Sequence, residues 1–320
     1  MRILFSFLLF TFYFASTAQI PSYVPTNGLV GWWPFNGNAN DESGNGNNGS
    51  FTGLSCETCG MVVAPPIITT DRYGNNNTAY QFFSDFDFIS ISNSTSLQIT
   101  QSFTISVWLN PNLGIYGQGP SYLSVLQKWG GTGSGASYMI ALNTSGVPIL
   151  YTNNAVATSS LVGTISLSLN QWTHLVYTFN NGLATLYTNG LFTTSASNIV
   201  TPSIGNSSIE IARNLNQFAN FSGDAFSGKV DDIAIFNRAL TQNEITQLYT
   251  NTVTPYTNED TTSNVGIGTT NPKRKLHVYD VMRLEPRNSE PANPAKGDIY
   301  FDGVLNKLRV YDGTVWQNCW

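Results

Sequence analysis

The sequence predicts an all-β fold built as a sandwich of two sheets, and three observations carry that prediction. Only 10% of the 320 residues are charged while 13% are aromatic. A helical protein would place far more Glu, Lys and Arg on its exposed faces, whereas Thr, Tyr, Phe, Ile and Val suit a pleated, half-buried surface. Several segments alternate apolar and polar residues with a period of two, as a strand with one buried face does. Asn-Gly pairs and Gly-rich stretches punctuate these segments at hairpin spacing.

The elements follow in order. Met1-Arg2 precedes an apolar run to Ala15, and Ser16-Thr17-Ala18 supplies small residues before Gln19. A charged start, short apolar stretch and small-residue exit read as a secretory signal peptide over residues 1–18. About 20 apolar residues are needed to cross a bilayer, so this run does not span, and no later segment is long enough. The mature chain is expected to begin near Gln19, secreted or at the cell surface. Strands are expected at residues 29–35, 88–92 and 103–109, the last with Phe103, Ile105, Val107 and Leu109 on one face and Trp108 on the other. More follow at 122–127, 138–142 and 147–151. Residues 171–194 form a three-stranded meander around Asn181-Gly182 and Asn189-Gly190, since a tight type I′ turn needs positive φ at both central residues. Strands at 208–212 and 230–236 come next. One helix is expected at 242–249, where Thr241 and Glu244 form a capping box.

Charge divides the chain. Residues 19–263 hold five Lys or Arg against thirteen Asp or Glu, while residues 264–320 hold eight against six. The acidic body excludes nucleic acid, which is bound through basic surface. The shift marks a boundary: a sandwich over 25–252, a linker at 253–263 and a small β tail module at 264–320. Cysteines are few. Cys56-Glu-Thr-Cys59 lacks the second Cys or His pair of a zinc site and the βαβ surroundings of a redox motif. In an exported chain Cys56 and Cys59 read as a small disulfide loop, leaving Cys319 as the odd thiol.

The motifs carry a family likeness. Gly28-Leu-Val-Gly-Trp-Trp-Pro-Phe-Asn-Gly, continuing to Gly49, resembles the opening of bacterial laminin-G-like, concanavalin A-like lectin/glucanase domains. Residues 82–91 and 103–111 resemble the second and third motifs, and 171–190 the Trp-x-His hairpin. Gly228-Lys-Val-Asp-Asp-Ile-Ala-Ile-Phe and the helix after it resemble the closing motif. The order is kept over residues 25–251; an insertion at 54–66, with the cysteine pair, departs from it. The resemblance implies a jelly roll of two curved antiparallel sheets. In the tail, Asn264-Val-Gly-Ile-Gly-Thr-Thr-Asn-Pro, continuing to Val278, resembles a segment of phage tail fibres and long bacterial surface proteins. That likeness implies a homotrimer formed through the tail.

Because the implied family includes glucanases, catalysis is weighed on residues. Glycosidases need two carboxyls about 5–5.5 Å apart when retaining and about 6.5–9.5 Å when inverting. Asp85 and Asp87 lie in a turn-like segment, Asp231 and Asp232 are adjacent and would face opposite sides of a strand, and Glu210 stands alone on its strand. His174 belongs to the hairpin motif as a packing residue, and His277 to the tail. The expectation is therefore a non-catalytic binding or adhesion protein, with carbohydrate or a cell-surface glycan or protein as partner. The alternatives are a structural surface or fibre component, or a glycoside hydrolase. Trp108 is the candidate for stacking on a sugar; its other reading is core packing. Loops at 114–122, 130–137 and 214–223 are candidates by position. The resemblance also implies a structural calcium ion held by the oxygen-rich loop at 38–47 and the closing strand, with Asn38, Asp41 and Asp231 as ligands. An Asn-Gly turn with Asp231 hydrogen-bonded to backbone amides is the alternative.

Overall fold

The computed structural model describes residues 20–51, 65–83, 87–112, 122–129, 137–213, 226–252, 265–267, 276–278 and 284–319. The chain divides into two units, Met1–Thr254 and Pro255–Trp320. The expected signal peptide, the Cys56–Cys59 loop, Asp85 and nearly all of the three candidate loops lie outside the described residues.

In the first unit the strands are β1 (Leu29–Trp33), β2 (Gly49–Phe51), β3 (Ile67–Thr69), β4 (Ala79–Phe82), β5 (Ile89–Ile91), β6 (Ser102–Pro111), β7 (Tyr122–Lys128), β8 (Tyr138–Asn143), β9 (Pro148–Asn153), β10 (Thr158–Val162), β11 (Thr173–Asn180), β12 (Leu183–Thr188), β13 (Leu191–Ala196), β14 (Ile209–Ile211) and β15 (Gly228–Phe236). They form two antiparallel sheets. One runs β13-β12-β11-β6-β15-β4-β3, with β1 also paired to β15; the other runs β10-β9-β8-β7-β14-β5-β2. Neighbouring strands often come from distant parts of the chain, as in a jelly roll. The core lies between the sheets, where Phe103, Ile105, Val107 and Leu109 of β6 meet Ile140, Leu142, Leu150, Ile209 and Ile211. Alternation turns every second residue of these strands into this core, while β1, β6, β8 and β11 bury nearly all of their residues, on both faces.

Both Asn-Gly turns adopt the expected geometry: φ is 47° and 88° at Asn181 and Gly182, and 50° and 76° at Asn189 and Gly190. Gly190 has a second reason to be glycine, since a Cβ there would lie 2.9 Å from the Tyr249 ring. That ring belongs to α1 (Gln242–Thr250), whose capping box between Thr241 and Glu244 is formed in full. The helix rests on the outer face of the eight-stranded sheet. There Ile245 and Leu248 join Val24, Trp32, Val176, Ala234 and Phe236 in a second apolar cluster.

In the second unit β16 (Val265–Ile267) and β17 (Leu276–Val278) pair in parallel, while β18 (Ile299–Asp302), β19 (Lys307–Tyr311) and β20 (Trp316–Asn318) form an antiparallel meander. Tyr300 and Trp316 meet edge to face at 4.7 Å, and the Asp302 carboxylate accepts the Val304 and Leu305 amides to close the first turn. No helix among the described residues is long and apolar enough to cross a membrane.

Candidate functional site

The outer face of the seven-stranded sheet carries a polar row. Register places Ser50, Ser90, Glu210, Gln127, Met139, Tyr151 and Ser160 opposite one another on β2, β5, β14, β7, β8, β9 and β10. Their sequence neighbours, among them Ile89, Ile209, Leu126, Ile140 and Leu150, point into the core, so strand alternation turns the row away from it. A bulge between Ser124 and Leu126 gives β7 one extra residue. Both Ser124 and Gln127 therefore share the outer face although they are three positions apart.

The centre of the row is closed to solvent: Gln127 is 0% exposed and Glu210 3%. Yet Ser124 Oγ, Gln127 Oε1, Gln127 Nε2 and Glu210 Oε2 have no hydrogen-bond partner among the described residues. Buried polar groups are paired in the great majority of cases, and leaving one unpaired costs about 1–3 kcal/mol. Other orphaned hydroxyls, such as Tyr138 and Tyr177, sit singly between the sheets; here four such atoms fall on two adjacent strands. The second carboxylate oxygen of Glu210 is anchored, Oε1 accepting from Ser90 at 2.9 Å and from Ser208. Burial pushes the Glu210 carboxyl above its ordinary 4.5, against the pull of those two hydroxyls and of Arg213. Toward β9, Tyr122 and Tyr151 approach with ring centroids 5.5 Å apart. Tyr151 and Ser90, at the two sides of the row, are partly exposed. The arrangement offers one acceptor from a fixed carboxylate, a donor and an acceptor from one amide, a hydroxyl and an aromatic edge.

The residues expected to act lie elsewhere. Trp108 is 7% exposed on the outer face of the other sheet. Its ring stacks on His174 at 5.0 Å and Tyr249 at 5.7 Å, and the Arg72 guanidinium lies 4.3 Å over it. It packs in a closed layer outside the core between the sheets. His174 is buried with Nε2 hydrogen-bonded to Ser106 Oγ at 2.8 Å, and burial presses its pKa down to about 3, which suits a packing residue. Asp231 and Asp232 do not face opposite sides as strand alternation implies. β15 is bulged between Asp231 and Ala234 and Asp232 has φ of 46°, so both carboxylates reach one guanidinium, Asp231 at 3.0 Å and Asp232 at 2.8 Å from Arg72. Burial pushes both carboxyls up while Arg72 pulls them down.

The loop expected to hold calcium is built around Asp41. Its Oδ1 accepts the Trp32 and Ser43 amides and Oδ2 the Asn47 amide, while Asn38 Oδ1 accepts the Asn40 amide. Asn47 then ties the loop to the Val30 carbonyl and Ser96. The three expected ligands thus do not act as one set: Asp41 serves the loop amides and Asp231 serves Arg72. Among the described residues no group of three or more His, Cys, Asp or Glu could hold a metal ion. Asp87 Oδ2 accepts the Phe83 amide at 2.6 Å, and Cys319 is exposed with a free thiol. Ser124 and Gln127 escaped sequence reasoning, although Tyr-Leu-Ser-Val-Leu-Gln carries the signal: polar residues three apart in a strand mark a bulge.

Several solved structures share this architecture. The binding domain of Paraclostridial Mosquitocidal Protein 1 matches with a TM-score of 0.53 and 21% identity, over 70% of this chain and 52% of that one. Domain 4 of AbnA, an extracellular GH43 arabinanase from Geobacillus stearothermophilus, solved with arabinotriose, matches with a TM-score of 0.50 and 21% identity, over 69% of this chain and 98% of that one. The ligand-binding domain of botulinum neurotoxin serotype D, solved with N-acetylneuraminic acid, gives 0.51 and 16%, over 71% and 51%. The chain spans about half the length of the two toxin domains, and at these identities the likeness is one of fold. No curated protein matches the sequence. A laminin-G family profile, described as the concanavalin A-like lectin/glucanases superfamily, matches residues 83–246, just over half of the chain. The chain belongs to the concanavalin A-like lectin/glucanases superfamily.

Proposed function

We propose that the sandwich is a non-catalytic carbohydrate-binding module of an exported protein, secreted or held at the cell surface, and that glycan binds on the outer face of the seven-stranded sheet. One observation carries this reading: four buried polar atoms without partners are gathered at Ser124, Gln127 and Glu210. Sugar hydroxyls each donate and accept, and so can satisfy such a set. Domain 4 of AbnA, solved with arabinotriose, and the serotype D toxin domain, solved with N-acetylneuraminic acid, support the ligand class. Binding without hydrolysis fits Glu210, whose partners across the ladder are Ser90 and Gln127 rather than a second carboxylate. Retention on immobilised polysaccharides tests the proposal. Wild-type protein should be retarded by at least one glycan without releasing reducing sugar, and Gln127→Met should abolish the retardation. Equal retardation of both proteins would place the site elsewhere, and reducing-sugar release would make the protein a hydrolase.

A further inference from the structure

We infer that the chain pairs with a second copy of itself through the free edge of β13, Leu191 of each copy seating in a cleft of the other. This pairing stands apart from whatever the seven-stranded face binds. It starts from where charge is missing. Between Lys128 and Glu210 the sequence has no Asp, Glu, Lys or Arg, although 10% of the chain is charged. That stretch builds β8 to β13, so the strands at one end of both sheets are uncharged.

β13 ends the eight-stranded sheet and β10 the seven-stranded one. Sheet edges ordinarily guard their unpaired N–H and C=O groups with Lys, inward-pointing charges or Pro. Leu-Phe-Thr-Thr-Ser-Ala of β13 and Thr-Ser-Ser-Leu-Val of β10 have none of these. The later chain runs beside β10, Val200 donating to Ser159 Oγ and Ser203 to the Asn153 carbonyl. Among the described residues no backbone hydrogen bond reaches β13 from outside its pairing with β12.

The pairing with β12 sorts the side chains of β13. Partners across an antiparallel ladder share a face, and Leu191 is paired with Thr188, Phe192 with Tyr187 and Thr194 with Leu186. Leu186 belongs to the core and Tyr187 packs on the outer cluster, so Phe192 is on the outer face and Leu191 on the inner. Both are open to solvent, Leu191 72% exposed and Phe192 60%. Thr193 is the extra residue of a bulge, and its hydroxyl donates to Thr188 Oγ1 at 3.0 Å. On this inner side lies a cleft of about 170 Å³, lined in part by Pro148, Ile165, Leu167, Leu186, Thr188 and Thr193. A cavity of about 150 Å³ can hold benzene, so there is room for a leucine side chain. Antiparallel pairing of two β13 strands about a twofold axis joins the two eight-stranded sheets and keeps their inner faces on the same side. Leu191 of one copy then meets the cleft of the other, and the reverse, the self-complementary exchange of a closed twofold contact. The contact is apolar and free of charge at its centre, as interface cores are. Residues 19–263 hold five Lys or Arg against thirteen Asp or Glu. Acidic surface elsewhere repels its own copy, while these strands have no charge to oppose.

Light scattering on the full chain over a concentration series tests the pairing, in reductant because Cys319 is an exposed thiol. Wild-type mass should rise with concentration, and Leu191→Lys should cut the limiting mass by at least half, since it sets an ammonium group against each apolar cleft. Thr193→Phe fills the cleft without adding charge and should do the same. Ile67→Lys puts the same charge on an exposed residue of β3, at the other end of that sheet, and should keep the wild-type mass. Association through residues 264–320 is common to all four proteins, so it cannot produce these differences. Thermal transitions of the two lysine variants should match the dilute wild type, as both positions are exposed. A wild type that stays monomeric at every concentration overturns the inference, and so does a Leu191→Lys mass equal to wild type. An equal loss of mass in Ile67→Lys also overturns it, by showing that any added charge suffices. Dissociation by Leu191→Lys but not by Thr193→Phe overturns the seat in the cleft.

Discussion

The two sheets of the sandwich share one core but treat their outer faces in opposite ways. On the eight-stranded sheet the outward residues are covered. The helix brings Ile245, Leu248 and Tyr249 down on it, and the turn between β3 and β4 delivers Arg72 over Trp108 and between Asp231 and Asp232. Tyr73, from the same turn, is hydrogen-bonded to Asn251 at the end of the helix. On the seven-stranded sheet the outward residues Ser124, Gln127 and Glu210 are just as deeply buried, yet four of their polar atoms have no partner. A face whose charges and rings pair with one another, as Arg72 does with Asp231, Asp232 and Trp108, contributes stability, although Arg72 Nε and His174 Nδ1 have no partner there. A face that leaves buried donors and acceptors unmatched loses stability and reserves those groups for something else. That contrast separates scaffold from site.

Arg72→Ala breaks the scaffold side and should have the largest effect. Removing one partner of a buried ion pair strands the other and costs about 3–5 kcal/mol, and here two carboxylates, on Asp231 and Asp232, lose the same guanidinium. Trp108 also loses the cation over its ring. Denaturant titration should show a loss of that size, with glycan binding kept by the fraction that remains folded. A loss below about 1 kcal/mol would mean that this face is not the lock described here.

How much of this contrast could be read from the sequence depends on which physical rule set each feature. The long alternating strands, both Asn-Gly turns and the capping box follow local rules, and they appear where those rules place them. Strands β2, β3, β4 and β10 escaped notice because three to five residues such as Gly-Ser-Phe or Thr-Ser-Ser-Leu-Val are too short or too polar to show a period. The site was less legible. Alternation marks Trp108 as outward facing, and says nothing of which outer face a helix and a turn will later cover. Glu210 looked solitary because its neighbours Ser90 and Gln127 come from strands far away in the chain. The bulges at Ser124 and Asp231 shift the count by one residue and reverse any orientation drawn from a strict period of two.

Substitutions among the unpartnered groups of the seven-stranded sheet should act in the other direction, by a smaller amount. Gln127→Met keeps the length of the side chain and removes both unpaired atoms. It should raise stability by about 1–3 kcal/mol while abolishing glycan binding. Glu210→Gln adds a pH signature. The folded state raises the Glu210 pKa above 4.5 through burial, so the fold favours the protonated acid. Between 4.5 and the raised value the native state holds more protons than the unfolded chain, and stability falls as pH rises through that window. The gain from Glu210→Gln should therefore be absent below pH 4.5 and grow as pH rises. Unfolding titrations at a series of pH values read this directly. A gain that is the same at every pH would show that the cost of Glu210 is not electrostatic.

Calcium gives the smallest expected effect and sharpens the same comparison from the loop at residues 38–47. With Asp231 held by Arg72, an ion proposed for this loop has Asp41 as its charged ligand, Asn38 beside it and main-chain carbonyls for the rest. Asp41 already accepts three amide hydrogen bonds, so its remaining lone pairs are few. Calcium prefers six to eight oxygens, and a set this sparse gives a weak site. An ion that binds only the folded state stabilises it by RT ln(1 + [L]/Kd), about 0.4 kcal/mol when its concentration equals Kd. For a domain of this size that is a rise in Tm of about 1–2 °C, measured in millimolar calcium against excess chelator. Asp41→Asn should remove the rise and Asp231→Asn should leave it unchanged, because the two carboxylates serve different partners. If the rise is many degrees and disappears in Asp231→Asn, then Asp231 exchanges Arg72 for the ion and the closed face is a metal site after all. If it is absent in the wild type, Asp41 serves only the turn.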